Sequence, residues 1–311
     1  MDVSVIIPAY NRLWCLPRAI ESCRDTNCKT EIIVVDDGST DGTDQWLSTQ
    51  PDLVVIKQEN QGQTYAINKG TAIAKGDYIR FLDSDDFLEK GAIDRQYRAA
   101  IDADADLVCG RVDFYNETSK KVTVCPEVTG WKDFLEIQLS NQYGSHFLGM
   151  LFKRALVEQT PRRPDFAYRE DRMFLLEIGL LQPKIVLLEG CAGYWVQHVE
   201  QMQGNYSGMR SQVVNWQHLQ AFKKILEKLK AENRLLPVYK KAACTALWPL
   251  AHWIAKYDIG AGADVAKWVY DLEPAFEAPD KGLLGSMYKA IGFTRTEKLL
   301  RLRRAIKKSA N

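Results

Sequence analysis

The chain begins with short apolar bands separated by polar breaks. Val3 to Ile7 is a β-branched apolar run, and Ile32 to Val35 is another. Runs of this length suit strands buried on both faces of a parallel sheet. Leu53 to Lys57 predicts a third strand, and the apolar residues from Tyr78 to Leu82 a fourth. Segments of helical character lie between them: Leu16 to Arg24, a helix holding Trp46 and Leu47, and Thr64 to Lys75. The last of these sets Ala66, Ile67, Gly70, Ile73 and Ala74 on one side. A further helix is expected over Leu88 to Ala103. Strand and helix alternating in this way predict an α/β class, a mostly parallel sheet flanked by helices.

The later pattern is less regular. Asp106 to Gly110 predicts a strand, 111–129 a hairpin, and Trp131 to Leu139 a helix. Tyr143 to Phe152 is loop-like and contains Gly144, Ser145 and His146. A helix is expected to start at Glu170-Asp171, with Phe174, Leu175, Ile178 and Leu181 on its core face. Ile185 to Leu188 predicts another strand, and Tyr194 to His198 leads into a segment, about His198 to Met209, expected to act as a lid. From Ser211 the pattern turns helical, and Pro249 is expected to kink or divide the helix over Leu235 to Lys256.

The polar breaks carry the candidate chemistry. In an open α/β sheet, ligands bind beyond the carboxyl ends of the strands. The run from Tyr78 stops at Asp83-Ser84-Asp85-Asp86. Alternate residues point the same way, so Asp83 and Asp85 aim two carboxylates into a crevice. Carboxylates suit hard cations such as Mg2+ or Mn2+. An acidic turn capping the next helix explains the same residues. Pro8 breaks the first strand's ladder and leaves Tyr10 and Arg12 at the loop, placed either to meet a base and a phosphate or as an ordinary connection. The second strand runs into Asp36-Asp37-Gly38. Two acids before that glycine exceed what a turn requires, and a carboxylate there can accept from base or ribose donors. Neither GxxxxGK[ST] nor a usable GxGxxG is present, which argues against nucleotide hydrolases and nicotinamide enzymes.

Composition narrows the field. The chain has 311 residues, 46% of them hydrophobic, enough for a large core. Its 41 basic and 40 acidic residues give a net charge of +1, so nothing in the overall balance calls for nucleic acid. The seven cysteines form no CxxC pair and no zinc-type cluster, which fits reduced thiols in a cytoplasmic protein. No signal peptide and no transmembrane run is expected. The charge that matters is local. Lys281 to Asn311 carries nine Lys/Arg and one Glu, with Leu299, Leu300, Leu302, Ala305 and Ile306 set among them. A basic amphipathic helix of this kind suits an anionic membrane surface, or packs on the core or a partner. It lacks the interleaved aromatics of a nucleic-acid platform.

Taken in order, several segments resemble the family-2 glycosyltransferases: 3–11, Val-Ser-Val-Ile-Ile-Pro-Ala-Tyr-Asn; 33–43, Ile-Val-Val-Asp-Asp-Gly-Ser-Thr-Asp-Gly-Thr; Asn-Gln-Gly at 60–62; Ala-Ile-Asn-Lys-Gly at 66–70; and 76–86, Gly-Asp-Tyr-Ile-Arg-Phe-Leu-Asp-Ser-Asp-Asp. The resemblance is close over 1–115 and looser over 145–205. It implies a GT-A fold, an inverting, metal-dependent reaction and a nucleotide-sugar donor, usually a uridine diphosphate sugar. It implies that Pro8, Ala9 and Tyr10 line the base, with Arg12 nearby, and that Asp37 accepts from the uracil ring. Asp83 and Ser84 then lie near the ribose, Asp85 holds Mn2+ or Mg2+, and His198 completes the metal site. Asp171 becomes the general base, with Glu170 assisting or meeting the acceptor. His146 falls in the acceptor-facing region as a substrate contact or a plain loop residue. Where the family often has arginine, Ile67 stands here.

The implied organisation is a catalytic domain over 1–209, with a nucleotide-binding half (1–115) and an acceptor-side half (116–209), and a helical region over 210–311. The implied acceptor is a glycan or a lipid-linked glycan, the setting bacterial-type surface polysaccharide synthesis, and the expected location cytoplasmic, with peripheral attachment at the inner face of the plasma membrane as an option. Two rivals stand beside this. A sugar nucleotidyltransferase would want a basic, Gly-rich loop that residues 8–18 lack. A non-catalytic nucleotide-sugar-binding protein on the same fold is the other.

Overall fold

The structure is a computed structural model, and it describes residues 1–140, 146–199, 201 and 208–309. Gly144, Ser145 and most of the expected lid lie outside these residues. The chain forms two compact units: residues 1–135 with 142–205, and residues 136–141 with 206–311.

The first unit begins β1 (Val3–Ala9), α1 (Leu16–Glu21), β2 (Thr30–Asp36), α2 (Thr43–Ser48), β3 (Val54–Lys57), α3 (Gln63–Ile73) and β4 (Tyr78–Phe81). It continues through β5 (Phe87–Leu88), α4 (Ala92–Asp102), β6 (Leu107–Asn116) and β7 (Lys121–Thr123). After α5 (Phe134–Ser140), which runs into the second unit, come β8 (Met150–Lys153), α6 (Arg154–Gln159), α7 (Glu170–Leu180) and β9 (Ile185–Gln197). Among the described residues the sheet runs β3-β2-β1-β4-β8-β6-β9-β5, with β7 beside β6. β1 to β4 pair in parallel, and so do β6 and β9; β8 and β5 enter antiparallel. Every residue of β1 is buried, as a strand covered on both faces requires. Gly70 lets α3 approach β1 closely: a Cβ there would lie 2.7 Å from Ile6 Cγ2.

Three expectations change. Pro8 does not end the first strand, which stays in register with β2 through Ala9↔Asp36. Ile6 accepts from Leu82 on the β4 side, and Ala9 accepts from Asp37 on the β2 side. Strand alternation therefore turns the Pro8 nitrogen toward β4, whose pairing has ended at Phe81, and no ladder bond is lost. The helix after the acidic run begins at Ala92, capped by Gly91 with φ 70°, not at Leu88. Phe87 and Leu88 instead pair with Tyr194 and Gly193 of β9, and the Phe87 ring stacks on Tyr194 at 4.7 Å. The acids at 83–86 are thus not the first turn of a helix. Finally, Ile185–Leu188 and Tyr194–Gln197 are one 13-residue strand, which crosses Gly190 (φ 96°) with a register shift against β6.

The second unit is helical: α8 (Gly208–Ala231), α9 (Pro237–Ala255), α10 (Ile259–Leu272) and α11 (Gly282–Ser309). α9 runs through Pro249 without dividing. An interior proline costs about 3 kcal/mol, and here Leu247, Trp248, Leu250 and Ala251 around it are all buried. α11 breaks at Gly292 (φ 76°, ψ 173°). Among the described residues no helix is long and apolar enough to cross a membrane.

Candidate active site

The carboxyl ends of β1, β2 and β4 lie side by side in the sheet, and the loops beyond them are tied together. Asn11 adopts φ 54°. Its backbone N–H donates to Ser39 Oγ at 2.9 Å, and its side-chain oxygen accepts from Thr40 N at 2.8 Å. Asp41 Oδ2 accepts from Leu13 N at 3.1 Å, and Arg12 N donates to Thr43 Oγ1 at 3.2 Å. Pro8 and Ala9 are buried within the strand, while Tyr10 is 46% exposed at its tip. The Arg12 guanidinium meets the Asn11 carbonyl at 3.4 Å.

Asp37 is 3% exposed and organises the loop before α3. Its Oδ1 accepts from Gln58 Nε2 at 2.7 Å and Gln61 N at 2.9 Å, and Oδ2 accepts from Gly62 N at 2.8 Å. A carboxylate offers about four acceptor positions, which leaves one on Oδ2. Gly38 (φ +81°) packs against this loop so closely that a Cβ would stand 3.0 Å from Asn60 N.

Beyond β4 the acids converge. One oxygen from each of Asp83, Asp85 and Asp86 falls within a 4.8 Å group. Asp83 Oδ1 accepts from Gln63 Nε2 at 2.8 Å, and Asp86 Oδ1 from Val196 N at 2.8 Å. His198 Nε2 lies 3.1 Å from Asp85 Oδ2, with the edge of Trp14 against its ring at 5.0 Å. Ser84 is buried between them in sequence. Burial pushes the Asp83 carboxyl up to about 8, and the like charges of Asp85 and then Glu170 add to this. Asp86 is raised well above the usual carboxylate range by burial, then by Asp83 and Asp85. Asp83 and Asp86, both resisting ionisation in this crowded group, make a site that a divalent cation would relieve. The group's oxygens fit manganese or magnesium, and the His198 imidazole stands beside the group through Asp85.

A second acidic pair lies within electrostatic reach of the first group. Glu170 and Asp171 open α7, and both act electrostatically on Asp83. Glu170 pairs with Arg162 at 2.8 Å, with side chains 10% and 1% exposed. Burial raises the Glu170 carboxyl, and Arg162 opposes the rise. The Arg162 guanidinium lies over Phe174 at 4.0 Å and Phe81 at 4.7 Å. Among the described residues its Nε and Nη2 are buried without a hydrogen bond. His146 joins this side. Its ring stacks between Phe147 and Trp195, with centroids at 4.7 and 5.0 Å, and its Nδ1 accepts from Leu148 N at 3.2 Å, which leaves the proton of the neutral ring on Nε2. Burial lowers its pKa below the ordinary 6.5; Asp171 opposes this and Arg162 assists.

The structure therefore brings Asp83, Asp85 and His198 together, sets Glu170 and Asp171 within electrostatic reach of Asp83, and leaves Tyr10, Arg12 and Asp37 at the neighbouring strand ends. Pro8 and Ala9 bring backbone there, because their side chains are in the core. Sequence reasoning missed Asp86 as a member of the cluster, Gln63 as a partner of Asp83, and two arginines. Arg18 donates to Glu117 at 2.7 Å and reaches the Asp85 carbonyl at 3.5 Å. Arg162 is fixed by Asn68, whose side chain bonds its backbone N–H and carbonyl, each at 2.8 Å. Neither arginine stands out from the chain's other cations.

In an open α/β sheet ligands bind beyond the carboxyl ends of the strands, and a carboxylate cluster there suits a hard divalent cation. Residues 4–158 match the model of Glycosyl transferase family 2, and the chain belongs to that family. It is 37% identical over 122 residues to glycosyltransferase GlyG of Streptococcus pneumoniae, a match covering 37% of this chain and 40% of GlyG. It is 27% identical over 236 residues to the succinoglycan biosynthesis protein ExoO of Rhizobium meliloti, covering 71% of this chain and 65% of ExoO. The S. aureus TarS fragment 1–349, solved with UDP-GlcNAc, superposes with a TM-score of 0.57 over 97% of this chain and 92% of that one, at 16% identity. That likeness is one of fold, and it makes the fold GT-A-like.

Proposed function

We propose that the protein transfers a sugar from a nucleotide diphosphate sugar, with uridine diphosphate as carrier, to the hydroxyl of a glycan or lipid-linked glycan. One observation carries the reading: the oxygens of Asp83, Asp85 and Asp86 lie within 4.8 Å of one another, and Glu170 and Asp171 at the start of α7 stand close enough to act electrostatically on Asp83. One acidic set suits the donor diphosphate, and the other suits the acceptor's proton.

Asp85 and His198 would hold Mn2+ or Mg2+. Bound there, the cation supplies Lewis-acid stabilisation of the departing diphosphate. Tyr10 offers its exposed ring to the base, and Asp37 its remaining acceptor position to the uracil N–H. Asp83 and Ser84 lie near the ribose, and Arg12 stands at the same strand ends. Asp171 takes the acceptor's proton as that oxygen attacks the anomeric carbon. A new C–O bond forms, the bond to the diphosphate breaks, and the electron pair leaves with the nucleotide. A single displacement of this kind inverts the anomeric centre. Glu170, held by Arg162, meets the acceptor beside the base. The presence of UDP-GlcNAc in the TarS structure supports a uridine carrier, and the name of ExoO supports a role in polysaccharide synthesis.

The test is metal-dependent release of uridine diphosphate from uridine diphosphate sugars offered with candidate acceptors. Asp171→Asn is expected to retain donor binding and lose turnover by ~10²–10⁴-fold. Pyrophosphate release from sugar phosphate and nucleoside triphosphate would instead support nucleotidyl transfer.

A further inference from the structure

We propose that the outward face of the last helical stretch, residues 295–306, is a docking surface for an anionic lipid bilayer. After the break at Gly292, α11 packs one face inward: Thr296 and Glu297 are buried, and Phe293, Leu300 and Arg304 are half-buried. These positions are three and four apart, so they share one side of the helix. On the opposite side Leu299, Leu302 and Ile306 are 49%, 59% and 62% exposed. They are spaced three and four apart and form a single apolar stripe. At 100° per residue, Arg295 lies on the line of that stripe one turn before Leu299. Lys298 and Arg303 flank it on either side, and Arg301 stands further round; all four are exposed.

The distribution of negative charge makes the assignment. Residues 281–311 contain one acid, Glu297. Its carboxylate is turned inward, where Tyr288 Oη and His252 Nδ1 each lie 2.6 Å from Oε1. The outward face between 295 and 306 thus carries cations and apolar groups and no acid. A solvated helix face ordinarily mixes both signs. A protein interface core is depleted in charged residues overall and enriched in aromatic ones. A nucleic-acid surface would want aromatic side chains to stack on bases, and residues 295–306 include none. A narrow apolar stripe flanked by long cationic side chains fits the headgroup layer. There the aliphatic stems follow the apolar residues inward while the charged heads meet lipid phosphates. The attraction is worth about fivefold in partition per cation near an anionic surface.

The inference does not rest on the sugar-transfer reading, because its readout is partition alone. The full chain is mixed with vesicles of phosphatidylglycerol and phosphatidylcholine, or of phosphatidylcholine only, and sedimented. Wild type is expected to bind the anionic vesicles, less so as salt rises, and to ignore the neutral ones. The triple variant Arg295→Gln, Lys298→Gln, Arg303→Gln is expected to lose on the order of 100-fold in partition. Leu299→Ser, Leu302→Ser, Ile306→Ser is expected to lose on the order of tenfold and keep its salt dependence. All six positions are exposed, so both variants should melt with the wild type, and circular dichroism checks this. Equal partition of all three proteins, or equal binding to both vesicle types, would overturn the proposal. So would a concentration-dependent dimer that the leucine–isoleucine variant abolishes, which would make the face an interface between copies.

Discussion

Arg162 is the residue on which the acidic side of the site depends. It pairs with a buried glutamate, lies against aromatic rings and counters the charge that raises Asp83. Removing one partner of such a pair leaves an uncompensated charge in the interior and costs about 3–5 kcal/mol. Arg162→Met is expected to destabilise by that order in urea unfolding, and Glu170→Gln added to it is expected to recover a substantial part. A pair worth nothing would show the same stability in both variants. His146 gives a second expectation, in pH. Its folded pKa lies below the ordinary 6.5, so on acidification the unfolded chain takes up a proton that the folded one resists, and stability falls as pH drops below the ordinary value. Between about pH 7.5 and about pH 5.5 the wild type is expected to lose more melting temperature than His146→Gln. An identical loss in both would show that His146 is free to protonate in place. Neither role was legible in the sequence. Arg162 is one of four arginines between 162 and 172, and its partner is chosen by how the chain returns to α3. His146 gains its environment from Trp195, far along the chain.

At the scale of elements, legibility followed locality. β1 to β4 and α1 to α3 are each set by a short apolar run or a local amphipathic stripe and were readable. β5 was not, because two residues become a strand only when β9 is beside them. The same contact moved the start of α4 from Leu88 to Ala92 and removed helix capping as the acids' explanation. Pro8 was misread because its effect depends on which neighbour its nitrogen faces. The fit of α3 against β1 gives a prediction at this scale. Gly70 has Ile6 Cγ2 at 2.7 Å and Val35 Cγ2 at 3.3 Å from where a Cβ would stand. Gly70→Val is expected to cost about 1–3 kcal/mol through overpacking, measured by chemical denaturation. An unchanged midpoint would mean that α3 is free to shift.

At the scale of the molecule, the site belongs entirely to the first unit, yet it is assembled from ends far apart in the chain. Tyr10, Asp37 and Asp83 come from adjacent parallel strands, Asp171 from α7, and His198 follows β9. Their types and order could be read from motifs; their convergence needed the sheet order and the return of β9. The central claim is that this convergence binds a uridine diphosphate donor through a cation held by Asp85. The most direct measurement is isothermal titration of uridine diphosphate into the full chain, with and without manganese, for wild type, Asp85→Ala and Asp171→Asn. Metal-dependent binding is expected in the wild type, lost in Asp85→Ala and kept in Asp171→Asn. Binding that is indifferent to manganese, or lost equally in both variants, would contradict it.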